Sequence, residues 1–371
     1  MTPTITSSAL RKLRNKFDWP LFGAILAIIA IGLVNLYSAT RVAPKGLYEH
    51  QLVFLCIGAV LFLTTAATDY RLFERLAYAV YGVGIVLLVA VLLGGKTVKG
   101  SSRWLGIGSF GIQPSELAKL VVIIALAKLF SGDPLDLALR PWRYVMAALA
   151  LMGLPMLLIM KQPDLGTALI LYLIATTIMM VVSLQLHVKL LTLGGELLIG
   201  IIFFVSKLHG YQKKRILTFI DPSLDPSGAG WHARQAIFAV GSGRWLGKGY
   251  KHGTQNQLQF LPEHWTDFPF AVFAEEWGFI GCAILIGCYL FLILWALNLA
   301  AEARDRFAEV LCVGCAALLF WHVFFNIGMV TGILPVVGVT LPLVSYGGSS
   351  LMTVLIALGL IMNVSIRRYS Y

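Results

Sequence analysis

Leu261-Pro262-Glu263-His264-Trp265-Thr266-Asp267-Phe268-Pro269-Phe270 is the seam on which this chain divides. Upstream lies a basic, glycine-rich loop, residues 207–267, the one long polar segment in the sequence. Downstream an apolar run continues to about Leu297. An acid at such a seam lies where water, lipid headgroups and a helix N-terminus meet.

The residues around the seam are those of a chain solvated by lipid. Of 371 residues, 58% are hydrophobic and 13% charged, with mean hydropathy +0.82; soluble domains carry about 25% charged residues. The formal charge of +11 is scattered between apolar stretches, with no basic stripe and no nucleic-acid module. Nucleic acid is therefore excluded as a partner in favour of anionic headgroups or phosphate-bearing substrates. Cys56, Cys282, Cys288, Cys312 and Cys315 all fall in apolar runs, where they read as packing residues rather than a disulfide framework or metal set.

A bilayer core takes about 20 apolar residues per helix. On that rule the chain has ten spans: 19–39, 50–68, 76–94, 116–131, 144–160, 165–183, 190–206, 268–297, 307–332 and 350–366. The first follows Arg11, Lys12, Arg14 and Lys16 and is too long for a signal-peptide core, so it reads as an uncleaved helix. The expected fold is an all-α polytopic membrane protein of ten transmembrane helices. Its parts are a tail at 1–18, helices one to seven at 19–206, the loop at 207–267, helices eight to ten at 268–366 and a tail at 367–371.

An even number of spans puts both termini on one side. The short connections on that side and the tails hold 14 Lys and Arg, against 6 in the short connections opposite. Long loops count for little in this comparison, so both termini are predicted cytoplasmic and the loop between helices seven and eight extracytoplasmic. Every polar cluster then falls on the outer face: Arg103-Trp104, Gln113-Pro114-Ser115-Glu116, Gln162-Pro163-Asp164, the long loop, and Ser345 to Ser350. Helices four, six, eight and ten start there, with prolines or glycines at their beginnings, and their N-termini favour an anion.

Asp267 has two readings: a first-turn acid stabilising helix eight, behind Thr266 as its cap, or a base at the membrane surface. Glu116 and Lys119, three apart, pair as a salt bridge that is structural, orients the acid, or receives a phosphate. Asp164 caps helix six or lines a cavity. Arg103, Arg215 and Lys248 are basic groups in outer loops, either solvated anchors or substrate contacts. Lys213 to Ile220 and Trp231 to Val240 read as interfacial segments suited to a lipid-linked substrate. Glu196, His322 and Asn326 lie inside spans and are functional candidates by their depth; the last two, four apart on one helix, read instead as interhelical hydrogen-bonding groups.

Taken together the motifs resemble the SEDS family (shape, elongation, division and sporulation proteins). The resemblance lies in Lys99-Gly100 with Arg103-Trp104, Gln113-Pro114-Ser115-Glu116-Leu117-Ala118-Lys119, Gln162-Pro163-Asp164-Leu165-Gly166-Thr167, Asp221-Pro222, Gly241-Ser242-Gly243, Thr266-Asp267-Phe268, Asn326-Ile327-Gly328-Met329 and Leu341-Pro342-Leu343-Val344-Ser345-Tyr346-Gly347-Gly348-Ser349. Gly247-Lys248-Gly249 and the short N-terminal tail are closer to its RodA branch. Trp265 stands where the family has histidine, and His264 is one place earlier, so no role is carried over to it. Pro269 stands where an aliphatic residue is more usual.

The resemblance implies a bacterial inner-membrane peptidoglycan glycosyltransferase that polymerises lipid II during elongation, alongside a class B penicillin-binding protein. It places the family's essential acid at Asp267 and its buried ion pair at Glu116 and Lys119. Arg103, Lys119, Arg215 and Lys248 are then the candidates for a pyrophosphate clamp. A divalent cation, Mg or Mn, is compatible with that chemistry, although no ligand cluster in the sequence specifies one. A lipid II flippase and a non-catalytic scaffold for the penicillin-binding protein are the rival readings.

Overall fold

The structure, a computed structural model, describes residues 17–42, 46–98, 101–107, 110–182, 185–207, 218–219, 229–257 and 264–368. Arg215, Lys99-Gly100, Asp221-Pro222 and Leu261 to Glu263 lie outside the described residues. The helices are α1 Trp19–Ala39, α2 Leu47–Ala67, α3 Tyr70–Gly94, α4 Pro114–Phe130, α5 Pro134–Leu139, α6 Pro141–Lys161, α7 Leu165–Val181, α8 Leu186–Lys207, α9 Ala229–Ser242, α10 Thr254–Gln257, α11 Pro269–Ala301, α12 Arg306–Val330 and α13 Gly348–Arg367. A helix lies over each of the ten expected spans. Seven of them, α1, α2, α3, α6, α11, α12 and α13, are long and apolar enough to cross a membrane. The chain is thus a multi-pass, predominantly helical membrane protein.

One element departs from an all-helical reading. Residues Lys96–Val98, Ser101–Ile107 and Phe110–Ile112 form a three-stranded antiparallel sheet, β1-β2-β3, between α3 and α4. Trp104 lies over Gly111, where an added Cβ would stand 3.1 Å from the indole. The strands are too short to leave a periodic signal of their own.

The helices sort by what they touch. In the apolar windows of α12 and α13, 78% and 83% of residues are buried, against 22% in α2 and α3. The outer helices turn residues such as Val86 and Leu93 outwards, as expected where the solvent is hydrocarbon and apolar residues are stable on every face. Close approach in such a bundle uses small residues. Gly359 of α13 lies against α2, where a Cβ would stand 2.8 Å from the Phe62 carbonyl oxygen.

At the end of the bundle that holds Phe17 and Arg368, aspartates cap the helices. Asp18 Oδ1 accepts from Leu21 N of α1, while its Oδ2 accepts from Trp295 Nε1 at 2.9 Å and Ser365 Oγ at 2.6 Å. Asp305 caps α12 through Ala308 N and accepts from Tyr70 Oη at 2.6 Å. Each carboxylate satisfies an orphan helix amide and ties a second helix to the first.

At the opposite end α11 is broken. Gly278 has φ 64° and ψ −165°, a conformation that belongs to glycine. The backbone groups freed there are taken up by the loop after α9. Lys248 N donates to Glu275 O at 2.9 Å and Gly249 N to Glu276 O at 3.1 Å; Phe279 N donates to Arg244 O at 2.8 Å and Ile280 N to Trp245 O at 3.2 Å. Lipid could not satisfy those groups, so the loop has to.

The break redirects the start of α11. Ser38 Oγ donates to Glu276, while Asn35, three residues lower on α1, donates to Pro269 O at 3.0 Å. A straight helix would carry Pro269 about 10 Å above Glu276 at 1.5 Å per residue. It lies instead about 5 Å below the Ser38 level by the same measure. The segment Pro269–Trp277 therefore turns back towards the bundle and carries Asp267 inwards with it.

Candidate functional site

The helix proper begins at Pro269, with Phe268 at the cap position and no side-chain cap bond. This corrects two expectations: Thr266 is not the cap, and Asp267 lies ahead of the helix rather than in its first turn. Pro163 likewise precedes its helix, since α7 begins at Leu165 behind Asp164. Pro114 and Pro269 do occupy the first turn, where a missing N–H is harmless.

The stretch carrying Asp267 is suspended by its own backbone. Trp265 O accepts from Tyr346 N at 2.8 Å, Asp267 O from Asn326 Nδ2 at 3.0 Å, and Pro269 O from Asn35 Nδ2 at 3.0 Å. His264, buried, adds a side-chain bond between Nε2 and Ala39 O at 2.9 Å. Two helices, α1 and α12, and the loop before α13 thus fix the main chain on both sides of the acid. The carboxylate itself is half-buried. Gly338, at φ 74°, faces its Oδ2, and a Cβ there would meet that oxygen in ordinary contact at 3.4 Å.

Glu116 and Lys119 sit in the first turns of α4. Lys119, 1% exposed, donates from Nζ to Glu116 Oε1 at 2.8 Å and lies 2.8 Å from His322 Nε2. An ammonium has only donors, so Nε2 must accept. The other ring nitrogen, Nδ1, then carries the proton and donates to Thr340 O at 3.1 Å. Glu116 Oε2 is buried without a hydrogen-bond partner among the described residues.

Asp164 caps α7 through Oδ1 to Thr167 N at 3.3 Å, and its Oδ2 accepts from Thr167 Oγ1 and Gln113 Nε2, each at 3.0 Å. Arg103, delivered by β2, donates to the carbonyls of Gln162 and Pro163 and lies 3.8 Å from Asp164. Gln113 N in turn donates to Ser349 Oγ at 2.9 Å. Arg103, Asp164, Gln113, Glu116 and Lys119 therefore belong to one end of the bundle. The last joins the Asp267 segment through α12 and the loop after it.

Lys248 is placed elsewhere. Its Nζ donates to Glu275 Oε1 at 2.6 Å and Thr254 Oγ1 at 2.8 Å. Glu275, 0% exposed, also accepts from Thr254 N at 2.9 Å and Gln255 N at 3.2 Å. This carboxylate anchors the loop that fills the break in α11. Glu196 of α8, a functional candidate by depth, accepts from Thr176 of α7 at 2.9 Å and so joins two helices. The stretch Trp231 to Val240 lies in α9, with Ala236 and Ala239 buried and Phe238 turned out.

The sequence reading undervalued the partners. His322 and Asn326 were visible as intramembrane polar groups four apart. Their connections run to residues 203 and 59 positions away, beyond any local pattern. Asn35, in the greasiest part of α1, was passed over; a lone amide inside a span was the available signal.

Comparison with known proteins agrees with this architecture. The FtsW/RodA/SpoVE family model, described as cell cycle protein, matches residues 19–370. The peptidoglycan glycosyltransferase MrdB of Escherichia coli (strain K12) is 40% identical over 345 residues, covering 93% of this chain and 92% of that protein. A chain solved in work on the structural coordination of polymerization and crosslinking by a peptidoglycan synthase complex superposes with TM-score 0.82 at 33% identity, covering 96% of this chain and 99% of that one. The crystal structure of the Thermus thermophilus rod shape determining protein RodA gives TM-score 0.72 at 31% identity, covering 100% of both chains. A match running through the suspended segment, the α4 ion pair and the loop before α13 leaves one assignment: the chain belongs to the FtsW/RodA/SpoVE family, the SEDS family its motifs resemble.

Proposed function

We propose that this chain is a peptidoglycan glycosyltransferase that polymerises lipid II, with Asp267 as general base. The observation that carries this reading is the treatment of Asp267: a half-buried residue ahead of its helix, on a main chain gripped on both sides. A base has to be fixed relative to the hydroxyl it deprotonates, and positioned bases contribute about 10²–10⁴-fold.

The acceptor sugar's 4-hydroxyl loses its proton to Asp267 as its oxygen attacks the donor's anomeric carbon, which inverts. The bond from that carbon to undecaprenyl pyrophosphate breaks, and the electron pair leaves with an already anionic group. That group needs charge stabilisation more than a proton, so a second carboxylic acid is dispensable. Lys119 is the cation closest in connection to Asp267, with two of its three donors engaged. Arg103 is a second candidate, its side chain 32% exposed. Lys248, engaged by Glu275, has a structural use that makes it the weakest of the clamp candidates; Arg215 remains in the proposal from its sequence position alone.

A divalent cation, Mg or Mn, would take Asp267 as its protein ligand, because such ions commonly combine one or two carboxylates with substrate phosphates. It would supply charge neutralisation at the pyrophosphate, and no step above runs through it.

We place the ten helices across the bacterial inner membrane with both termini cytoplasmic and the Asp267 end outward, on the strength of the 14-to-6 distribution of basic residues. The long loop is then extracytoplasmic. A class B penicillin-binding protein is the proposed partner, by analogy with the synthase complex that the fold matches.

Purified protein given labelled lipid II decides the matter. Glycan strands that vanish with Asp267→Asn support the polymerase. Strands formed at the normal rate by that variant would end it, and translocation of the headgroup without polymer would favour a flippase.

A further inference from the structure

We infer that His322 and Asn326 form a bracket on α12 that sets the spacing between Asp267 and the Glu116–Lys119 pair, making both of them positioning residues for the transfer reaction. The inference rests on the reading of Asp267 as base.

The geometry carries it. The two residues are four apart, so they share one face of α12 about 6 Å apart along its axis. Each has two partners. One partner of each lies in the loop after α12, and those partners are consecutive: Asn326 Nδ2 donates to Val339 O at 2.7 Å and His322 Nδ1 to Thr340 O at 3.1 Å. The other partner of each belongs to the site: Asp267 O at 3.0 Å for Asn326, Lys119 Nζ at 2.8 Å for His322. Helix, loop, base and lysine are thereby locked in one register. Gly338, which faces Asp267 Oδ2, directly precedes the gripped pair.

Ordinary interhelical adhesion does not account for this arrangement. A polar residue that merely glues helices joins two of them once, whereas each of these joins three elements. Asn326 is 0% exposed, and its Oδ1 is left without a hydrogen-bond partner among the described residues. A buried, unpartnered acceptor is costly, so the residue's use lies in the two donors on its nitrogen. Thr340 is held from its side chain as well, by Ser350 at 2.7 Å, so the loop end of the bracket is itself fixed.

The test uses the full-length protein in lipid nanodiscs with labelled lipid II, reading kcat and KM separately. Asn326→Asp keeps the shape and replaces the two-donor amide by a carboxyl with at most one proton, which cannot donate to both Asp267 O and Val339 O. A shift of the base by an ångström costs about 10²-fold, so kcat should fall about 10–100-fold with KM within about twofold and the acid limb of the pH profile unmoved. His322→Leu should behave alike, and His322→Gln, which offers one acceptor and one donor, should recover most of the rate. The double variant Asn326→Asp/His322→Leu should lose no more than the worse single one, because one bracket can be opened only once.

Wild-type kcat in Asn326→Asp, a loss confined to KM, single losses that multiply in the double variant, or losses that follow the melting temperature would each overturn the inference. Asn326→Ser, which keeps one donor, carries the same test if the aspartate variant does not assemble. Asp267→Asn is run beside them. An inactive Asp267→Asn with a fully active Asn326 variant sinks the bracket alone, whereas an active Asp267→Asn sinks the base assignment beneath it.

Discussion

Replacing Gly278 by alanine tests the broken helix by the sign of its effect. In a continuous α11 the change would help, since alanine is better than glycine in a helix interior by about 1 kcal/mol. In the structure described here it must harm. The observed φ of 64° and ψ of −165° cost a non-glycine residue about 1–3 kcal/mol. The new Cβ would also press on Gly247 N and stand 2.8 Å from both the N and C atoms of Leu246, all backbone, with no side chain to swing away. Moving that loop forfeits up to four backbone hydrogen bonds across the break, worth about 0.5–1.5 kcal/mol each. A loss of about 3–9 kcal/mol is expected on these terms. Thermal unfolding of the purified protein, followed by tryptophan fluorescence, gives the stability. Polymerisation of lipid II gives the consequence for Asp267, which should be carried out of place if α11 straightens. A melting temperature equal to or above the parent's, with polymerisation intact, would refute the reasoning.

Four further substitutions separate structural from chemical roles. Glu275→Ala takes the charged acceptor from the amides of Thr254 and Gln255 and from Thr254 Oγ1, and should cost about 3–5 kcal/mol. Lys248→Ala takes the counter-charge from a buried carboxylate that keeps its donors from Thr254 and Gln255, and should cost about 1.5–3 kcal/mol in the same melts; a loss equal to or above that of Glu275→Ala would mean the carboxylate is not the anchor. Asp18→Ala removes a helix cap and strands Trp295 Nε1 and Ser365 Oγ, for about 2–4 kcal/mol, with kcat unchanged because the site is at the other end of the bundle. Gly359→Val forces α13 away from Phe62 and Thr65 of α2 and should cost about 1–3 kcal/mol or more, with loss of monodisperse protein in detergent as a second readout.

The apolar runs were legible because a bilayer imposes a length and a composition on whatever crosses it. Helices duly lie over all ten, and the ion pair of Glu116 and Lys119 followed from a spacing of three. The break at Gly278 was not legible. Glu275-Glu276 interrupt the apolar run just ahead of Trp277-Gly278-Phe279, but acids in a span do not announce a break and a glycine there is ordinary; only the distant Arg244 to Gly249 loop makes that glycine necessary. Nor could spacing alone separate the basic residues. Arg103 and Lys248 look alike in sequence, yet one spreads over carbonyls beside Asp164 and the other pins a loop to Glu275. Charge type is local information, whereas partner choice depends on how remote segments meet.

The suspension of the acid by main-chain oxygens bears on how this segment tolerates mutation. A grip that holds carbonyls at Trp265, Asp267 and Pro269 is indifferent to most of the side chains those residues bear. Tryptophan can therefore replace the family's histidine at 265, and proline an aliphatic residue at 269, because the imino acid keeps the oxygen that Asn35 seeks. Drift along 265–269 becomes inexpensive provided the one carboxylate is retained, while the distant amides that do the holding, Asn35 and Asn326, inherit the constraint.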